Sequence, residues 1–473
     1  ELVFIPSPGR GHLQAALQLA TFLVEADSRL SVTVLVITPF SAPKSPLQSP
    51  ATHSRIRFVD VAPSDFSPSL DMAKSPVFAM QSFISSHRDS VRAEVKKLRE
   101  DSGSNGKLAG FVVDMFCNSM IDVADEFSVP AYVFFTSGAA FLGFMFHMQG
   151  LLEHKKQDLM AFKNSTEIID APSYKHPFPA NLLPALTFEK PDGTIFYNIA
   201  AAYRRAKGIL VNTFLELETH AINSLSDGEK FPQVYPIGPL IYMENDEKNP
   251  KYSEIMNWLD EQPDSSVVFL CFGSMGWFDG DQVKEIAAGL ERSGHRFLWT
   301  LRKPPAPGTV ANPGDYENFD EILPDGFLRR TAGIGKVIGW APQVAVLSHR
   351  AVGGFVSHCG WNSILESLWF GVPIAAWPMY AEQQPNAFLL VKDLGVAVEM
   401  KMDYVKNSVY GGGNVSSMIV SADVIASGIR ELMDSGNHVR EEVRVMKEKS
   451  RAALSENGSS SRYFRSFVDS LVD

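Results

Sequence analysis

The stretch from Trp340 to Gln383 reads WAPQVAVLSHRAVGGFVSHCGWNSILESLWFGVPIAAWPMYAEQ and concentrates groups that suit a diphosphate and a polyol. The apolar run Gly354–Ser357 is a strand candidate that breaks at His358-Cys359-Gly360 into a helical pattern, Trp361–Phe370. Gly371 follows the last helical residue and Pro373 lies two beyond it, the usual stop signals. The first turn of such a helix leaves backbone N–H groups unpaired at the positive end of its dipole, so it binds phosphate without a lysine. His358, Asn362 and Ser363 add side-chain donors at the same spot. Glu366 falls four residues after Asn362, on the same helical face, where a carboxylate accepts hydrogen bonds from ribose hydroxyls. Any one of these residues alone reads as an ordinary βα turn with a core tryptophan and a buried histidine. Together in one turn they read as a binding site.

A second pair carries acid–base chemistry. His12 follows Gly11 at the start of a helical pattern, and Asp114 ends the strand-like run Phe111–Val113. An imidazole titrating at about 6.5 accepts a proton near neutrality. The helix N-terminus is expected to hold it neutral at rest. An aspartate on its far nitrogen would fix the tautomer and stabilise the imidazolium as it forms. The plainer alternatives are a capping histidine and a strand-end cap.

These residues need elements that bring them together, and the chain supplies two similar halves. Leu2–Ile5 is an apolar run followed by Pro6-Ser7-Pro8-Gly9-Arg10-Gly11 and a helical pattern from His12 to Val24. Val267–Phe272 is another, followed by Gly273-Ser274-Met275-Gly276 and a helical pattern from Asp281 to Arg292. Strand, glycine-rich turn and helix is how a parallel α/β sheet starts. Further continuous apolar runs fit strands covered on both faces: Val32–Ile37, Gly110–Val113 and Ala131–Phe135, then Phe297–Leu301, Lys336–Ile338 and Ile374–Trp377. The polar, proline-punctuated stretch Pro236–Ser266 reads as the linker, and the loops 303–320 and 406–417 as mobile. Two such domains leave a cleft between the carboxyl ends of their sheets, where small ligands bind.

Composition narrows the partners. The 473 residues carry a net charge of −11, against the clustered basic surface that nucleic acid requires. Cys117, Cys271 and Cys359 lie in apolar runs with no metal-pair spacing, which fits a reducing, cytoplasmic location. The nearest approach to a membrane span, Ala131–Met148, is interrupted by Thr136-Ser137-Gly138 and reads as a strand followed by a buried helix. Asp279-Gly280-Asp281 matches a metal-binding D-x-D pattern, but Asp281 opens a helical run, where capping is the better account.

The segment Trp340–Gln383, 44 residues from its opening Trp to its closing Gln, resembles in letters and spacing the signature box of plant secondary-metabolite UDP-glycosyltransferases. The Gly11-His12 pair, the run Cys271-Phe272-Gly273-Ser274-Met275 and the layout extend the resemblance over nearly the whole chain. It implies the GT-B fold, two facing Rossmann-like domains with parallel sheets and an interdomain cleft. We divide the chain into an acceptor-binding domain (1–245), a UDP-sugar-binding domain (246–458) and a C-terminal helix (459–473) crossing back onto the first. The resemblance assigns Trp340 to stack on uracil, with the Ala341 backbone and Gln343 at its edge. His358, Asn362, Ser363 and Ser274 take the diphosphate, beside Gly11, and Glu366 takes the ribose. Glu382 and Gln383 take the sugar hydroxyls, assisted by Trp361, and a closing Gln leans toward glucose. His12 and Asp114 become base and orienting acid of a single inverting displacement that uses no metal and no cofactor, with UDP-glucose as co-substrate. Phe116, Phe141, Phe144, Met145 and Met275 are candidates for lining the acceptor cleft, suiting a flavonoid, phenol or terpenoid. The expected enzyme is monomeric, with no membrane span. The competing readings are a transferase using another sugar, a nucleotide-dependent oxidoreductase, for which the first turn lacks a full G-x-G-x-x-G, and a non-catalytic sugar-nucleotide-binding protein.

Overall fold

The computed structural model describes residues 1–38, 53–67, 75–101, 107–243, 250–306, 312–404 and 418–472. The first half forms a seven-stranded parallel sheet from β1 (Leu2–Ile5), β2 (Val32–Val36), β3 (Ile56–Asp60), β4 (Gly110–Asp114), β5 (Ala131–Phe135), β6 (Gly208–Val211) and β7 (Gln233–Pro236). Its spatial order is β3-β2-β1-β4-β5-β6-β7. The second half forms a six-stranded parallel sheet from β8 (Val267–Cys271), β9 (Arg296–Thr300), β10 (Gly335–Ile338), β11 (Val352–Ser357), β12 (Ile374–Ala376) and β13 (Ala397–Glu399), ordered β10-β9-β8-β11-β12-β13. Both sheets reverse direction between their first and fourth strands, the switch point outside which α/β folds bind ligands. Strands β1, β4, β5, β8 and β11 are buried at every residue, which is why they read as unbroken apolar runs.

The strands that the pattern leaves unread are β3, β6, β7 and β13, of which β6 is as fully buried as the strands it finds. β3 is an edge strand with mixed burial, β7 ends in Pro236, and β13 has three residues. The stretch Pro236–Ser266 is more than a linker: it contains the helix Pro250–Asp260, whose Ile255 and Leu259 are buried in the core. The segment 406–417 lies outside the described residues. The loop 303–320 holds a short strand, Gly314–Asp315, paired with Arg302–Lys303. Asp279 caps the helix Gly280–Ser293 by accepting from the Gln282 N–H at 3.0 Å, and Asp281 pairs with Lys284 on the surface. Among the described residues no helix is long and apolar enough to cross a membrane.

The last helix, Ser459–Val472, packs on the first sheet and not on the domain that precedes it in sequence. Phe464, Phe467 and Val468 are buried in the cluster that contains Leu2, Phe4 and Leu19. Phe467 lies edge-on to Tyr132 (4.9 Å between ring centroids) and Tyr235 (5.7 Å), and Phe464 to Phe22 (4.6 Å). Ser460 Oγ donates to the Gly238 carbonyl at 2.5 Å and Ser459 Oγ to Glu216 at 2.8 Å. Truncating a fully buried phenylalanine removes its transfer energy and leaves a cavity, about 3–5 kcal/mol. Phe467→Ala should therefore lower the melting temperature of the first domain. Calorimetric melting of the full chain checks this, and an unmoved first-domain transition would mean that the helix contributes nothing to it.

Candidate functional site

β1 and β4 are hydrogen-bonded neighbours, so the turn after β1 and the end of β4 deliver His12 and Asp114 side by side. His12 Nδ1 lies 2.8 Å from Asp114 Oδ2. Asp114 is enclosed, its side chain 1% exposed, and its other oxygen accepts from the Ser7 hydroxyl at 2.5 Å and the Phe116 N–H at 3.0 Å. The carboxylate is thus fixed from three sides, while the His12 side chain keeps 30% of its surface exposed. With Nδ1 engaged, the imidazole presents Nε2 for chemistry. Phe116 stands edge-on to the ring at 5.6 Å, and the Thr136 hydroxyl is 3.4 Å from Nδ1. A Cβ built on Gly11 would meet nothing within 4 Å.

Burial pulls the His12 pKa down. The Asp114 charge, the Asp114 hydrogen bond and the Glu382 charge outweigh burial and carry the pKa above 6.5. This corrects the expectation of a base held neutral by the helix terminus: adjacent carboxylates win over a dipole end. Glu382, just past β12 of the second sheet, is near enough for its charge to act on His12. Burial raises the Glu382 pKa, with the His12 charge opposing.

On the second sheet, β11 breaks at Cys359, whose φ of 61° is left-handed and costs a non-glycine residue about 1–3 kcal/mol. Ser357 Oγ accepts from the Cys359 N–H at 3.1 Å, and Asn386 Nδ2 donates to the Cys359 carbonyl at 3.0 Å, holding the turn. The helix Trp361–Phe370 begins at Gly360 with no side-chain cap, leaving its first amides for a ligand. The His358 ring is wedged between two backbones. A Cβ on Gly273 (φ +74°) would come within 2.6 Å of Nε2, and one on Gly360 within 2.5 Å. Burial drives the His358 pKa down to about 4, against a hydrogen bond with the Cys271 backbone, so the ring is neutral. Asn362 and Ser274 are exposed, Ser363 and Ala341 are buried, and Trp340 and Met275 are half-buried. Gln343 Nε2 donates to Ser363 Oγ at 2.8 Å and to Glu366 Oε2 at 2.7 Å, tying the nucleotide-edge candidate to the ribose candidate.

The contacts narrow three assignments. The indole of Trp361 is 2% exposed and donates Nε1–H to the Asn212 carbonyl at 2.7 Å, so that N–H is spent across the domains. The fit is close enough that a Cβ on Gly138 would sit 2.7 Å from the ring. The amide oxygen of Gln383 accepts from the Met379 and Tyr380 N–H groups at 2.9 and 3.0 Å, leaving only its NH2 as a candidate contact. Phe141, Phe144 and Met145 are 0–1% exposed and lie in the core, Phe144 against Phe178 at 4.9 Å and Phe141 against Phe135 at 6.4 Å. Their helix, Ala139–His154, is buried on nearly every side, so apolar character marked no ligand-facing stripe. Of the acceptor candidates, Phe116 stands beside His12.

Sequence reasoning passes over Ser7, Thr136, Asn386 and Glu218. The Glu218 carboxylate caps the helix Ala139–His154 by accepting from the Ala139 and Ala140 N–H groups, both at 2.8 Å. Ser7 and Thr136 stand directly in the quoted turns, but a hydroxyl gives no signal of its partner. Because the neighbouring carboxylates hold the His12 pKa up, NMR titration of the histidines should place it above 6.5. Removing one charge with Glu382→Gln removes an interaction that favours imidazolium, so the titration should move to lower pH. A midpoint unmoved by that substitution would separate Glu382 from His12.

The comparisons agree with this geometry. A family model described as UDP-glucoronosyl and UDP-glucosyl transferase matches residues 230–408. The chain is 50% identical to "UDP-glycosyltransferase 71E1" of Stevia rebaudiana over 99% of its length and 98% of that protein. It is 48% identical to "UDP-glucose flavonoid 3-O-glucosyltransferase 6" of Fragaria ananassa, over 100% and 98%. Its structure resembles a transferase from Siraitia grosvenorii crystallised with UDP (TM-score 0.89, 45% identity, 100% and 99% coverage). It also resembles a Medicago truncatula protein crystallised with UDP-glucose (TM-score 0.85, 39%, 100% and 98%). Two parallel sheets with facing ends, a histidine–aspartate pair on one and an uncapped helix on the other, therefore form a GT-B enzyme, and the chain belongs to the plant UDP-glycosyltransferase family.

Proposed function

We propose that the chain transfers glucose from UDP-glucose to a hydroxyl of a small aglycone such as a flavonoid, phenol or terpenoid, with inversion and without a metal. The observation that carries the reading is the His12–Asp114 contact at 2.8 Å, with a partly open imidazole within the influence of the Glu382 charge. Nε2 of His12 takes the acceptor's proton, and the freed oxygen attacks the anomeric carbon. The bond from that carbon to the diphosphate breaks as the new glycosidic bond forms, so an α-linked donor yields a β-glucoside. Asp114 stabilises the imidazolium. The negative charge released on UDP meets the amides at the start of Trp361–Phe370, and neutral His358 adds a hydrogen bond. The flavonoid glucosyltransferase name of the strawberry relative and the UDP-glucose in the Medicago structure support the donor and the acceptor class.

His12→Ala should cut transfer by about 10²–10⁴-fold while UDP binding stays near wild type. Assays with UDP-glucose and a panel of flavonoids, phenols and triterpenoids, in excess EDTA, read this directly. A His12→Ala enzyme turning over at the wild-type rate removes the base, and a wild type that EDTA silences and metal restores removes the metal-free step.

Gln383 divides its amide: the oxygen holds the Met379–Tyr380 backbone, and we assign the NH2 to a sugar hydroxyl. Gln383→Glu keeps an oxygen for that backbone and loses the donor. It should weaken UDP-glucose by about 1–3 kcal/mol and leave UDP unchanged. Calorimetric titration of both ligands decides this, since an equal loss for each would put Gln383 at the nucleotide end.

A further inference from the structure

We propose that Asp393, outside the residues assigned above, is a positioning residue for the transfer reaction: it clasps the far end of the helix bearing Gln383 to a loop of the first domain. The inference rests on the transferase reading. The helix Gln383–Phe388 runs directly into a π-helical turn, Leu389–Asp393, so one continuous rod leads from Glu382 to Asp393. Its start is where Glu382 acts on His12. At its end, the Asp393 side chain is 2% exposed and accepts from first-domain backbone: Oδ2 from the Lys175 N–H at 2.9 Å and Oδ1 from the His176 N–H at 3.1 Å. His176 Nδ1 adds a contact with Oδ1 at 2.8 Å.

The rod is also seated along its length. Tyr174 OH donates to the Pro385 carbonyl at 3.4 Å, and the rings of Tyr174 and Phe178 lie 5.7 and 5.1 Å from that of Phe388. The first-domain loop is itself held, because His220 Nε2 lies 3.0 Å from the Pro172 carbonyl and 3.1 Å from that of Tyr174. A pair of long side chains slides without losing its contact. A buried carboxylate gripped by successive backbone amides does not, so Asp393 fixes the rod in translation. A helical rod passes displacement from one end to the other, and a shift of about 1 Å between reacting groups can cost a hundredfold in rate. The clasp therefore sets the place of Glu382 and Gln383 opposite His12 without touching donor or acceptor.

The test compares wild type, Asp393→Asn and Asp393→Ala as full-length proteins. Asparagine keeps one acceptor oxygen and so loses part of the grip, while alanine loses all of it. For both variants we expect faster hydrogen exchange at the Lys175 and His176 amides and kcat lowered by about tenfold or more, alanine the worse. UDP affinity and stoichiometry by calorimetry should stay within about twofold, because the nucleotide is bound elsewhere. Exposed Lys175 and His176 amides with an unchanged kcat would overturn the proposal, as would unchanged protection. A parallel fall in kcat and UDP stoichiometry would also overturn it, since that marks loss of folded protein. If wild type rejects UDP-glucose, the donor reading fails by itself, and the same comparison runs with the UDP-hexose that wild type accepts.

Discussion

The hydrogen bond from the Trp361 indole to the Asn212 carbonyl joins the working ends of the two sheets. Trp361 is the first residue of a helix with no side-chain cap, and Asn212 follows β6 in the other domain. The ring is buried against Gly138, at the start of a second helix, where any side chain would force it away. The helix Trp361–Phe370 is therefore located by the domain that carries His12, and the geometry across the gap follows from that seat.

The two histidines of the site show how one residue type is driven in opposite directions. Both are buried enough to disfavour a charge. His12 has Asp114 bound to it and Glu382 nearby, so its imidazolium is favoured. His358 lies between glycine backbones, where burial dominates and its pKa falls to about 4. Adjacent carboxylates decide the first case and enclosure the second, which is why two histidines of one cleft differ in charge preference.

Much of this was legible beforehand, for physical reasons. Strands covered on both faces leave continuous apolar runs, so β1, β4, β5, β8 and β11 announced themselves. Glycine and proline punctuation bounded the helix Trp361–Phe370 to the residue. The His12–Asp114 pair was readable because a helix start and a strand end in adjacent units of a parallel sheet must meet. What stayed hidden were contacts between parts of the chain far apart in sequence: Ser7 on Asp114, Trp361 on Asn212, and the loop at Tyr174 on Asp393. Phe141 and Phe144 misled because an aromatic side chain carries the same letter in a core as in a ligand pocket.

The C-terminal helix has a mechanical meaning beyond packing. Ser460 bonds the Gly238 carbonyl, so the return of the last helix to the first sheet is fastened just past the end of β7. Asn212 is part of the same knot, accepting the Leu240 N–H on Oδ1 at 2.8 Å. Because Trp361 bonds the same Asn212, the start of the helix Trp361–Phe370 is tied to the knot that fastens the last helix.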